Sequence, residues 1–251
     1  MAIKDEIRRE RKAFLATATP KQKLAYFLEY YKLHIVVAII LIVTASYIIY
    51  HACTDPEIVL NGMLINVNTY NQEDHPTELG REFLKSEGID TSKYDVSFGS
   101  GMTLLGGDAV EDYQGSQALM IQTAAGALDF ATGPAHILIE YAYGGVFVDL
   151  TTVLSAEELE TYKPYLHYID GVVLRQFEDA DGDLEGTDSI VIPDSTKPEE
   201  MKEPIPIFID MSDNEKLVKA YATEINQLVF GITANAPNPE LTQKFIKYLM
   251  Q

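Results

Sequence analysis

At 251 residues and 28.0 kDa, 47% of them hydrophobic, the chain holds enough apolar material for one large packed domain or two small ones. Nineteen Lys and Arg stand against 38 Asp and Glu, and a net charge of −19 argues against nucleic-acid binding by the chain as a whole. Cys53 is the only cysteine, which excludes a disulfide framework and any paired-cysteine zinc site.

The charge is unevenly spread. Residues 1–32 hold eight basic and four acidic side chains, a net of +4, so the other 219 residues carry −23. Within the basic segment Thr19 can cap a helix and Pro20 suits its first position. KQKLAYFLEYYK then runs on without a breaker, and Tyr26, Phe27, Tyr30 and Tyr31 form an aromatic collar among lysines. Such a collar suits an anionic lipid surface.

From Leu33 to Tyr50 the sequence LHIVVAIILIVTASYIIY contains no Asp, Glu, Lys or Arg. As a helix it rises about 27 Å, close to the roughly 30 Å hydrocarbon core of a bilayer. A buried core helix is the alternative reading, but the polar flanks offer nothing to cover an apolar surface on every side. The stretch therefore predicts a transmembrane helix over 33–50. Eight Lys and Arg precede it and the next is Arg81. The positive-inside rule then places residues 1–32 in the cytoplasm and residues 54–251 outside the cell. Tyr50-His51-Ala52-Cys53 fits a bacterial lipobox poorly, so an uncleaved signal anchor is preferred over lipidation of Cys53.

Beyond Pro56, short apolar runs alternate with helical periods. Strands are predicted over 59–67 (with Gly62 inside it), 94–98 and 128–131, and helices over 78–86, over 113–126 and from Pro134 to Gly144. Ser155 with Glu158 makes a capping box, and Leu154 with Leu159 a hydrophobic staple. This alternation predicts an α/β layer with a largely parallel sheet. From Leu166 to Asp210 the runs YIDGVVLRQF, DSIVIP and PIPIFID read as strands with little helix. Ser212 and Glu215 read as a second capping box. A strand over 228–233 and a last helix follow, the helix opened by Asn238-Pro239 with Leu241, Phe245, Tyr248 and Leu249 on one face.

The run AAGALDFATGPAHILIEYAYGGVFVDLTTVLSAEELETY resembles a stretch of the bacterial extracellular solute-binding proteins with the type II periplasmic-binding fold. Gly126, Asp129, Gly144-Gly145 and Asp149-Leu150 stand at the places where that family turns and caps. The tail GITANAPNPELTQKFIKYLM is similar to the family's ending. The resemblance implies a bilobal ectodomain, with lobe 1 at about 58–165 and 205–251 and a reduced lobe 2 at about 166–204. It also implies a membrane-anchored binding protein, without catalysis, that recognises a small solute or a neighbouring membrane protein. The second lobe is short for the family, and a retained helix replaces its usual lipid anchor. The alternative is therefore a structural or accessory subunit of a cell-envelope membrane complex, with no ligand pocket.

No G-x-S-x-G, H-E-x-x-H or P-loop occurs, and histidines 34, 51, 75, 136 and 167 are dispersed. Neither catalytic residues nor a cofactor are expected on that basis, and a hydrolase is a third reading without a recognisable motif. Open α/β sheets bind ligands at the carboxyl ends of their strands. That rule nominates Asn66, Asn68, Ser100, Asp129 and Asp210, with Tyr141 and Tyr143 adding aromatic faces. The same Asn and Asp residues commonly satisfy turn backbone instead. Asp179, Asp181 and Asp183 alternate as Ca²⁺ ligands do, but Leu184 and Ile190 stand where an EF-hand loop needs Gly and Glu. A solvated acidic turn is the plainer reading. The partners expected are the bilayer, through residues 33–50, and a small ligand or membrane protein outside it.

Overall fold

The computed structural model describes residues 2–67, 75–104, 113–179, 190–221 and 226–251. They form two compact units, Met1–Asp55 and Pro56–Gln251.

The first unit is helical. Helix α1 (Ala2–Thr17) stops before Pro20, whose ring and missing N–H bar a continuous helix, and α2 (Pro20–Thr54) starts there. The Gln22 side-chain oxygen accepts a hydrogen bond from the Thr19 N–H (2.9 Å), closing the first turn of α2. Phe14 of α1 meets Tyr26 of α2 with ring centroids 5.3 Å apart. Helix α2 then continues unbroken for 35 residues. Its side chains from Leu33 to Tyr50 are almost all exposed, Leu33 by 70% and Ile42 by 65%. Among the described residues, this is the one helix long and apolar enough to cross a membrane.

The second unit is built on one mixed sheet. Its strands are β1 (Glu57–Ile65), β2 (Tyr94–Met102), β3 (Phe130–Pro134), β4 (Leu166–Asp170), β5 (Pro204–Asp210) and β6 (Leu228–Ile232), in the spatial order β2-β1-β3-β6-β5-β4. Strand β1 pairs in parallel with β2 and β3, as crossover helices α3 (His75–Ser86) and α4 (Tyr113–Ala124) require. The other half departs from the parallel sheet expected. Strands β4, β5 and β6 are consecutive in the chain and antiparallel to their neighbours, β6 also against β3.

Period-2 alternation sorts the strand residues onto two faces. Leu60, Leu64, Phe130, Ile209, Phe230 and Ile232 pack toward α3, α8 (Glu215–Tyr221) and α9 (Pro239–Leu249). Met63, Ile65, Ala131, Phe208 and Val229 pack toward α4 and α5 (Ala135–Tyr143). The glycine inside β1 now has a cause. A Cβ on Gly62 would lie 2.0 Å from Phe130 Cζ, so the strand tolerates no side chain where that ring crosses it.

Residues 166–204 do not build a separate lobe from their described part. Strand β4 is the edge of the common sheet, and most of the expected strand YIDGVVLRQF is helix α7 (Gly171–Asp179). The Asp170 carboxylate accepts from the Val172 N–H (2.9 Å) and turns the strand end into a helix start. Val173, Leu174 and Phe177 then fall on one helical face against the second core cluster. Ile190–Pro193 is not strand, and residues 188–189 lie outside the described residues.

Ser155 and Glu158 form the full capping box at the start of α6 (Ala156–Tyr162). The Ser212–Glu215 box does not form. Asn214 caps α8 instead, its Oδ1 accepting from the Leu217 N–H (3.0 Å), while the Ser212 hydroxyl accepts from the Leu228 N–H (3.0 Å).

Candidate functional site

Strands β1, β2, β3 and β5 all run the same way, since β6 lies antiparallel between β3 and β5. Their carboxyl ends therefore share one end of the sheet. Val229 of β6 faces both Gly133 and Asp210, which puts Asp210 level with the end of β3. Asn66 follows β1 at the same end, three strands away, roughly 14 Å at about 4.8 Å per strand.

The nominated residues separate into different roles. Asn66 sits in the left-handed region (φ 64°), its Nδ2 donating to the Leu104 carbonyl and its Oδ1 accepting from the Leu104 N–H, both at 2.8 Å. With its own N–H bonded to the Met102 carbonyl, it clamps the end of β1 to the end of β2. Ser100 lies inside β2, which runs on to Met102, not after it. Asn68 and the side chain of Ser100 lie outside the described residues.

Asp129 precedes β3, at the opposite end of that strand, and is completely buried. Its Oδ2 accepts from the Asn61 N–H (2.8 Å) and its Oδ1 from the Asn238 N–H (2.7 Å). Burial pushes this carboxyl's pKa upward while those two backbone donors pull against it. The residue ties β1 to the start of α9 and is closed to solvent, so the ligand role expected of it does not hold. The capping expected of Asn238 does not form, since its side chain makes no cap bond.

Tyr141 joins α5 to α4 through Ser116, Oη to Oγ 2.6 Å. Tyr143 is buried, stacks on Phe177 with centroids 5.2 Å apart, and accepts from the Asp170 N–H (3.1 Å) at the far end of β4. It serves the core and is no exposed aromatic face. Asp179 is the exposed last residue of α7, and Asp181 and Asp183 lie outside the described residues. Among the described residues, no three His, Cys, Asp or Glu side chains converge as metal ligands would.

Asp210 is the nominated residue that meets other chemistry. His167 lies on β4 opposite Phe208, its ring buried, with Nε2 3.3 Å from Asp210 Oδ2 and Nδ1 2.8 Å from Ser195 Oγ. Asp210 Oδ1 also accepts from the Ser212 N–H (2.8 Å). Burial alone would raise the Asp210 pKa, but hydrogen bonds from His167 and Ser212 outweigh it and hold the carboxyl at about 2. Beside Asp210 opens a groove of about 630 Å³, lined also by Tyr165, Ser212, Asn214, Lys216 and Met250. Neither His167 nor Ser195 stands in a recognisable motif. Only the pairing of β4 with β5 and the turn after Pro193 bring them to Asp210.

The Asp210 carboxyl couples this cluster to stability. Its folded pKa of about 2 lies below the ordinary 3.8, so its contribution is full above about pH 4 and disappears as pH falls toward 2. That contribution is about 2 kcal/mol. Asp210→Asn should therefore melt below the wild type at pH 7, with the gap closing toward pH 2.5. Melting curves across that range test this, and a gap independent of pH would refute it.

No protein-family model matches the chain, and no curated protein matches it in sequence. Among solved structures it is similar to an ABC transporter substrate-binding protein from Bradyrhizobium japonicum USDA 110, at 12% identity and a TM-score of 0.34 over 76% of this chain and 78% of that one. It is also similar to the PBP AttC of Agrobacterium tumefaciens C58 in its open unliganded conformation, at 11% identity and a TM-score of 0.32 over 76% and 79% of the two chains.

Proposed function

We propose that this protein is a membrane-anchored binding module. Residues 33–50 of α2 cross the bilayer, residues 1–32 stay in the cytoplasm, and the Pro56–Gln251 unit works outside the cell, holding a small solute or a neighbouring membrane protein. One observation carries the anchor: the apolar stretch of α2 is exposed on every side, a surface that water does not tolerate and lipid does. The basic flank before it and the acidic remainder after it support the orientation. Binding is supported by the groove at the carboxyl end of β5, where Asp210, Ser212, Asn214 and Lys216 stand beside Tyr165, Leu249 and Met250.

Protease added to intact cells, followed by detection of both ends of the chain, tests the arrangement. The Pro56–Gln251 unit should be digested while the first 32 residues stay protected, and an untouched outer unit refutes it. For binding, the detergent-solubilised full chain is melted with sugars, amino acids and peptides, and a bound solute raises the melting temperature. If no solute shifts it and crosslinking recovers a membrane protein, the binding partner is that protein and the molecule is an accessory subunit.

A further inference from the structure

We propose that Ser195, His167 and Asp210 form a nucleophile–base–carboxylate row that hydrolyses small carboxylic esters. This goes beyond binding and does not depend on which side of a membrane the domain occupies.

The argument starts from protonation. Asp210 is ionised at neutral pH, and a carboxylate only accepts, so the hydrogen at 3.3 Å belongs to His167 Nε2. A neutral ring then leaves a bare lone pair on Nδ1, aimed at Ser195 Oγ 2.8 Å away. The base is thus set in the tautomer that takes a proton from the hydroxyl. The two ring nitrogens exchange the roles they have in serine proteases, and either nitrogen of a neutral imidazole serves as base. The geometry is held firmly. Ser195 stands on a tight turn from Asp194 to Lys197, closed by the Lys197 N–H on the Asp194 carbonyl (3.0 Å). Asp194 Oδ1 takes the Thr196 N–H (3.0 Å), and the Ser195 carbonyl accepts from the Tyr168 N–H (2.8 Å). His167 is buried behind a serine that stays partly exposed, which is the order of access that an attacking hydroxyl needs.

In the first step Ser195 Oγ bonds to the ester carbonyl carbon and its proton passes to His167 Nδ1. The bond from that carbon to the alcohol oxygen breaks, and the alcohol leaves with the proton from Nδ1. Water then attacks the acyl-serine and gives a proton to Nδ1. The acyl–Oγ bond breaks, the carboxylic acid departs, and the proton returns to Oγ. Asp210 stays ionised throughout and acts through His167 as a positioning residue. A charge of −23 beyond the first 32 residues disfavours anionic substrates, so neutral or cationic esters are the class expected.

The test uses the full chain in detergent micelles with a fluorophosphonate probe and p-nitrophenyl acetate. Peptide mapping should find the phosphonate on Ser195, and Ser195→Ala should lose both the label and at least about a hundredfold of the esterase rate while melting as the wild type does. Asp210→Asn, assayed well below its melting temperature, should lose kcat with KM unchanged, because the wrong tautomer then faces Ser195. A folded wild type that takes no label at Ser195, or a Ser195→Ala chain as active as the wild type, overturns the proposal.

Discussion

Phe245→Ala is expected to cost the Pro56–Gln251 unit about 3–5 kcal/mol, a large part of the 5–15 kcal/mol that holds a typical domain folded. Phe245 is completely buried, and its ring lies 5.0 Å from Phe83, 5.4 Å from both Phe98 and Phe130, 6.2 Å from Phe230 and 6.4 Å from Tyr248. One side chain thus joins α9 to α3 and to strands β2, β3 and β6. What sets the size of the loss is how little the neighbours can move into the gap. Phe130 is pressed on Gly62 and stacked on Phe230 at 4.6 Å, and Phe98 meets Phe130 edge-on at 5.3 Å. A cavity walled by rings already in contact stays open, and its lining loses dispersion contacts outright. Urea unfolding followed by circular dichroism measures this. A loss below 1 kcal/mol would mean that the ring is not part of the load shared between helix and sheet.

The features visible from sequence are those written in adjacent residues. The capping box at Ser155, the Asn238-Pro239 start of α9 and the apolar run of β1 are local signals, and each produces its element in place. Helix α7 escaped because Val172 and Val173 favour strand on propensity, whereas the Asp170 cap and the packing of Phe177 on Tyr143 decide for helix. Strand direction in the second half of the sheet is a property of long-range pairing, on which periodicity is silent. Asn66 and Asp129 show the converse error. A polar residue beside a strand end looks the same in sequence whether it meets a ligand or another strand's N–H groups, and here the backbone claims both. His167 and Ser195 were invisible for a related reason. They lie 28 residues apart and meet only because β4 pairs with β5 and the 194–197 turn hooks Tyr168.

Leu41→Asp combined with Ile42→Asp should strip the protein from membranes, and magnitudes show why two charges suffice. The stretch from Leu33 to Tyr50 holds eleven Leu, Ile or Val residues. At about −0.3 to −0.6 kcal/mol each, they favour insertion by about 3–7 kcal/mol before His34, Thr44 and Ser46 are counted. An Asp near the middle of a spanning helix costs about 2.5–3.5 kcal/mol, so two cost about 5–7 and also remove two favourable side chains. The balance passes to the unfavourable side. Residues 41 and 42 are adjacent and so point about 100° apart on the helix, which keeps one carboxylate from screening the other's contact with lipid. Both are exposed, and neither belongs to the core clusters of the Pro56–Gln251 unit, so the variant should keep that unit folded. Alkaline extraction of membranes reads the result: wild type in the pellet, the double variant in the supernatant or degraded for want of insertion. A double variant that remains in the pellet would show that this helix is not what holds the protein to the bilayer.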